Sequence, residues 1–252
     1  MEQNNTLIFI PTYNEIENVE NIFNDIKALG LDVDILFLDD NSPDGTGKVM
    51  DKIAEKNSHV FTIHREGKMG IGSAHQDGIR WAYEHNYALL VTMDCDFTHS
   101  PSYISDFIKL SGKADIVVGS RYLQKDSLAT WNLLRKFLTG LAHFLTVNLL
   151  GMHYDATGAF RLYNLKNIDP GFFRLIRSAG YSFFFESLFI LSYNRISIVE
   201  TPIELPSRAL GQSKMTWKDA WKGFYFLLQL SYRKIVHKKT LLLDENHLSV
   251  KK

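Results

Sequence analysis

An alternation in the first half of the chain constrains the fold more than any other feature. Short apolar runs, several ending in acids, are separated by segments with helical periodicity. Residues 7–10 (LIFI), 34–40 (DILFLDD), 60–64 (VFTIH), 88–94 (ALLVTMD) and 115–120 (DIVVGS) read as strands. Apolar residues at 16, 19, 22, 23, 26 and 29 form one helical stripe; 46–57 and 71–86 read as two further helices, and Pro101 opens another. Strands alternating with helices imply βαβ units, hence an α/β fold with a mostly parallel central sheet flanked by helices. In such sheets ligands bind beyond the carboxyl ends of the strands, where Asp39, Asp40, Asp94 and Asp96 fall.

After about residue 125 the texture changes. Residues 137–154 are eighteen positions without Asp, Glu, Lys or Arg, but Gly140, His143, Asn148, Gly151 and His153 make them a poor membrane span. With Arg135 and Lys136 ahead of them, they suit an amphipathic helix lying in a membrane interface. Residues 215–236 set Trp217, Trp221, Phe224, Phe226 and several leucines beside Lys218, Lys222, Arg233 and Lys234, which suits the same place. Residues 181–193 are very apolar, and there core packing and an interface are equally good readings. Residues 237–252 read as a loose basic tail, after a single unit over 1–236 with halves 1–125 and 126–236.

Charge is balanced overall, 28 basic against 28 acidic residues, which argues against a nucleic-acid partner. The balance hides a polarity: residues 1–60 hold twelve acids and four bases, whereas 207–252 hold ten bases and three acids. Carboxylates at one end suit a metal or hydroxyls, and cations at the other suit phosphates or anionic lipid. Cys95 is the single cysteine, so an intramolecular disulfide is excluded. The N-terminal stretch does not read as a signal peptide, so the expected location is cytoplasmic.

The strongest local signal is VTMDCDFTHSP (91–101). Asp94 and Asp96 follow a strand with one residue between them, so in an extended segment both carboxylates point the same way and can meet one hard cation. Magnesium or manganese would then carry a diphosphate; a plain turn is the alternative. In PTYNE (11–15), Tyr13 offers a flat face and Glu15 an acceptor for ribose hydroxyls. In DDNSPDGTG (39–47), Asp40 can accept from base N–H groups, although turn chemistry explains most of the segment. GKMGIGSAH (67–75) follows the third strand and places His75 where a dinucleotide fingerprint wants a small residue, and GTGKV (45–49) fails as a P-loop. In the second half Arg121, Arg161, Arg208 and Lys214 sit in turn-like polar surroundings and can serve phosphate, though each alone is ordinarily a surface charge.

Taken in order, PTYNE, DDNSPDGTG, KMGIGSAH, MDCDFTHSP, GSRY, TGAFRLY and GQSKM resemble a family 2 glycosyltransferase of GT-A fold. The resemblance is to the dolichol-phosphate mannosyltransferase (polyprenyl-phosphate glycosyltransferase) group, in its short form without a transmembrane domain. It covers about residues 6–235. It implies that Pro11, Tyr13, Glu15, Leu38 and Asp40 hold the nucleoside. Asp94, Cys95 and Asp96 would handle ribose and metal, with Asp96 the chief ligand of Mg2+ or Mn2+ and Thr98 completing the shell. Arg121, Arg208 and Lys214 would hold donor and acceptor phosphates, Arg161 would lie near the acceptor phosphate, and Glu186 is either a sugar-pocket residue or half of a buried ion pair.

The expected reaction is inverting transfer of a sugar, mannose from GDP-mannose first, to a polyprenyl or dolichyl phosphate on the cytoplasmic face of a membrane, with room for a membrane-protein partner. UDP-glucose or UDP-N-acetylglucosamine as donor, or a saccharide hydroxyl as acceptor, are the alternatives. A phosphate acceptor is already ionised near neutral pH and needs no strong base; it needs cations that let two anionic substrates approach.

Overall fold

The computed structural model describes residues 4–206 and 216–243. Arg208 and Lys214 lie outside the described residues, as do 244–252.

Seven strands form one sheet: β1 (Thr6–Thr12), β2 (Asp34–Asp39), β3 (Val60–His64), β4 (Leu89–Thr92), β5 (Ile116–Ser120), β6 (Arg161–Asn164) and β7 (Ile198–Pro202). Their spatial order is β3-β2-β1-β4-β6-β5-β7, and β6 alone runs antiparallel to its neighbours. The chain ends of β1, β2, β3, β4 and β5 therefore share one edge, and the loops leaving them form a common rim.

Successive strand residues feed two cores. Leu7, Phe9, Leu36, Leu38, Leu90, Ile116 and Val118 face α3 (Ile71–Glu84), α7 (Phe183–Tyr193) and α8 (Trp217–Val236). Ile8, Ile10, Ile35, Phe37, Val91, Val117 and Leu162 face α1 (Val19–Ala28), α2 (Thr46–Lys56) and α4 (Ile104–Leu110). The predicted strands and helices of the first half fall on these elements within a few residues.

The glycines of GKMGIGSAH serve packing. A Cβ on Gly72 would lie 2.6 Å from the Gly180 carbonyl oxygen, and one on Gly78 would lie 2.5 Å from the Phe9 ring. Gly70 has φ +102, which only glycine adopts readily. These absences let the chain at 179–180 lie against the start of α3, where Ser73 N donates to Ala179 O.

The second half differs from expectation in three places. TGAFRLY, read as a turn-like segment, contains strand β6; Phe160 and Leu162 face one core while Tyr163 faces the other, a period-two pattern. Residues 181–193 are core: all nine residues from Phe183 to Leu191 are buried. The tail is packed through residue 243, since Leu241 is fully buried and Asn194 bonds both Leu241 O and Leu243 N.

The helix expected at 137–154 begins earlier, as α5 (Leu133–Leu145) capped by Asn132, and closes in a π-helical turn at Thr146–Leu150. α5 has no buried residue, and Leu133, Leu134, Phe137, Leu141 and Phe144 all stand exposed. α8 opens on a capping box between Thr216 and Asp219 and likewise exposes Trp217, Trp221, Phe224, Tyr225, Leu228, Tyr232, Ile235 and Val236. Among the described residues no helix is long and apolar enough to cross a membrane.

Candidate active site

Each strand of the parallel edge delivers a polar group to the rim. β1 leads to Tyr13, β2 to Asp40, β3 to Arg65, β4 to Asp94 and Asp96, and β5 to Arg121. Pro11 and Leu38 stand opposite one another in the β1–β2 register beneath this rim.

On the nucleoside side, the Lys68 ammonium lies 4.4 Å from the centre of the Tyr13 ring. Glu15 accepts from Asn18 through Oε2 while its backbone N–H donates to Thr46. Asp44 accepts from both the backbone and the hydroxyl of Thr46 and so opens α2, as turn chemistry requires. Asp40 is not left facing outward for a base: Arg65 grips it through Nε and Nη2. Burial lifts the Asp40 carboxyl above its usual range, and the guanidinium pulls against that lift. Arg65 also reaches Ser73, Asp77 and Gly70 O, tying the β2, β3 and α3 loops together. Sequence reading missed Arg65.

The acidic loop after β4 is held from within. Asp96 Oδ1 accepts from Thr98 N (3.1 Å) and Thr98 Oγ1 (2.6 Å), so the Thr98 hydroxyl orients the carboxylate. Phe97 takes φ 60 to make that turn. Asp94 N donates to His99 Nδ1 at 2.9 Å, and His99 stacks on Phe160. Cys95 between them is buried. Asp94 keeps a side chain 34% exposed and Asp96 is almost fully buried, and no group of three or more His, Cys, Asp or Glu among the described residues can cage a metal. Two carboxylates on one loop fit a hard divalent ion that keeps waters and substrate oxygens.

Across the rim, Asp155 Oδ2 accepts from Arg121 N (3.0 Å) and Nε (2.7 Å), and Asp155 N donates to Glu200. Burial opposes the Arg121 charge, but Asp155, then Tyr122 and Asp94, raise its pKa further. The Nη edge of Arg121 has no hydrogen bond to any described residue. Arg135, stacked 3.5 Å from the Trp131 ring centre, and Arg121, 6.0 Å from it, gather at one indole. Asp155 and Trp131 were missed because nothing local marks them, and Arg135 was read only as heading an interfacial helix.

Arg161 is not an exposed cation of the rim. It is fully buried, and its Nη atoms donate to Tyr163, Ser187, Ala156 O and Phe184 O. It fastens the segment carrying Asp155 to α7, because strand β6 points its side chain inward. Glu186 likewise lies in the interior: Oε2 accepts from Arg177 N, Ser178 N and Ser178 Oγ, and Oε1 pairs with Arg233 at 3.4 Å. It is the buried ion pair, not a sugar-pocket acid.

A family model, Glycosyl transferase family 2, matches residues 7–183. The chain belongs to that family. Among curated members it is 35% identical over 231 residues to a polyprenol monophosphomannose synthase of Mycolicibacterium smegmatis, covering 90% of this chain and 87% of that one. It is 34% identical over 211 residues to an undecaprenyl-phosphate mannosyltransferase of Micrococcus luteus, covering 83% and 87%. Among solved structures the fold matches a mannosyltransferase of Pyrobaculum calidifontis in complex with GDP-Man and Mn2+ (TM-score 0.58, 14% identity, 95% of this chain and 70% of that one). It also matches TarS of S. aureus in complex with UDP-GlcNAc (TM-score 0.57, 12% identity, 96% and 68%).

His75 on α3 is buried. Its ring lies against Phe9, Phe183 and Phe184, and neither ring nitrogen has a hydrogen-bond partner among the described residues. Burial, then the charges of Arg161 and His99, pull its pKa from 6.5 down to about 3. The unfolded chain therefore binds this proton first, and stability is lost as pH falls from 6.5 toward 3. His75→Phe is expected to flatten that loss, read as urea midpoints on either side of pH 6.5; an unchanged slope would assign the acid sensitivity elsewhere.

Proposed function

We propose that this glycosyltransferase moves mannose from GDP-mannose to the phosphate of a polyprenyl or dolichyl phosphate, with inversion, at the cytoplasmic surface of a membrane. The observation that carries the reading is that Asp94 and Asp96 follow β4 at the same sheet edge where Arg121 follows β5, with the Asp94 charge acting on Arg121. The names of the relatives at 34–35% identity supply the sugar and the class of acceptor.

In this reading Tyr13, Glu15 and the Asp40–Arg65 pair seat the nucleoside, with Pro11, Leu38 and Cys95 forming the backbone floor. Asp94 and Asp96, the latter held by Thr98, would hold Mg2+ or Mn2+ beside the donor diphosphate. Once bound, that ion would neutralise charge gathering on the departing nucleotide. Arg121 meets a phosphate with its Nη edge, Arg135 lies on the same indole, and Arg208 and Lys214 add their charges from outside the described residues. A phosphate monoester has a second pKa of about 6, so its oxygen attacks without a base, and positive side chains are what the site must supply. The exposed apolar faces of α5 and α8 lie in the membrane interface and bring the headgroup to the rim.

The test is transfer of radiolabel from a panel of GDP-mannose, UDP-glucose and UDP-N-acetylglucosamine into the lipid extract, with polyprenyl phosphate and Mg2+ or Mn2+. Cation-dependent label from GDP-mannose alone is expected. Label from a UDP-sugar in its place would overturn the donor, and no label in lipid would overturn the acceptor.

A further inference from the structure

A second basic feature lies away from the rim. The face of α8 between its buried and exposed stripes borders a hollow of about 430 Å³, lined by Phe226, Leu228, Leu230, Tyr232, Arg233 and, from the segment before α7, Arg177. The start of α8 is the end near the active site, because Lys68, the residue over Tyr13, acts on Asp219. Arg233 lies fourteen residues further along the helix, about 21 Å at 1.5 Å per residue. A phosphate held at the rim is out of reach of this hollow.

Among the described residues the charges around the hollow do not balance locally. Glu186 lies buried behind Arg233 and does not line the hollow, and its oxygens already take three donors from Arg177 N and Ser178 besides Arg233. Arg233 turns its Nη atoms to Glu186 and Thr240 O, and its buried Nε–H has no acceptor among the described residues. Arg177 is exposed, and its guanidinium forms no ion pair with a described residue. Burial and the nearby Arg177 charge both lower the Arg233 pKa, so the two guanidiniums repel one another. An anion placed between them relieves that repulsion. The hollow opens beside Leu228 and Tyr232, which belong to the exposed apolar stripe of α8.

We propose that this hollow binds the phosphodiester headgroup of an anionic membrane phospholipid, between Arg177 and Arg233, with the acyl chains along the apolar stripe of α8. The site is distinct from the acceptor's and acts as an anchor that sets how the enzyme sits on the bilayer. The proposal rests on the membrane reading above.

Flotation of the full chain with phosphatidylcholine vesicles, with and without phosphatidylglycerol, tests it. Removing one generic surface cation weakens binding to an anionic membrane by about fivefold, which is the expected loss for Lys218→Gln. Arg177→Gln is expected to lose about tenfold or more on phosphatidylglycerol vesicles and nothing on phosphatidylcholine, because a forked contact is stronger than a lone charge. Arg177→Lys keeps the charge and loses the fork, and is expected to lose about threefold. All three variants should retain transfer to a short-chain polyprenyl phosphate in detergent. Wild-type binding by Arg177→Lys together with equal losses in Arg177→Gln and Lys218→Gln would reduce the hollow to diffuse attraction and overturn the site. Failure of the wild type to bind either vesicle would instead overturn the membrane reading.

Discussion

Asp96→Ala is expected to lower the turnover of sugar transfer by about a thousandfold, the scale seen when one preorganised electrostatic group is removed from a reacting centre. Asp96 is buried on a tight turn, and Thr98 donates to it through both its backbone N–H and its hydroxyl. Losing those two hydrogen bonds costs stability of about 1–2 kcal/mol, a modest fall in melting temperature. Asp96→Asn separates the two effects. The amide oxygen still accepts from Thr98, so the turn survives, but the charge that would hold the cation is gone. Both variants should fold, both should lose transfer, and a chelator should reproduce the loss in the wild type. Turnover near normal in Asp96→Asn would remove Asp96 from the site and would leave the acidic loop as a turn.

The parts of this site visible in sequence were those with a local signature. Asp94 and Asp96 stand one residue apart after an apolar run, so strand geometry alone predicts that they share a side. The parallel edge was visible for the same reason, because β1 to β5 alternate with periodic helices. What stayed hidden depends on pairing across long separations. Arg65 reads as an ordinary charge until β2 and β3 pair in register and place it on Asp40, 25 residues away. Asp155 meets Arg121 from 34 residues away, through a segment with no periodicity of its own.

Arg161 and α7 show the opposite difficulty. A cation in a polar-looking motif suggests a phosphate, yet Arg161 lies in a four-residue strand whose alternation is too short to read. Its charge is tolerated inside because four acceptors meet its Nη atoms. α7 is apolar all round, which a buried helix and a membrane-facing helix share, so its place is decided by the sheet face it covers. α5 and α8 differ from α7, since each keeps a wide apolar face exposed.

The second large effect should come from Asp155, and it connects stability to chemistry. Asp155 is fully buried and holds the backbone and the Nε edge of Arg121, whose side chain is 9% exposed. Asp155→Ala leaves that guanidinium buried without its counter-charge, and removing one partner of such a pair costs about 3–5 kcal/mol. Denaturant midpoints of the full chain should report this loss directly. Asp155→Asn keeps the shape and one acceptor, so it should fold with a smaller loss while letting the Arg121 fork drift. In the proposed function Arg121 holds a phosphate and Asp155 stays behind it, so Asp155→Asn should raise KM for the polyprenyl phosphate more than it alters nucleotide binding. A merely structural Asp155 would instead lower the active fraction and leave KM for the lipid unchanged.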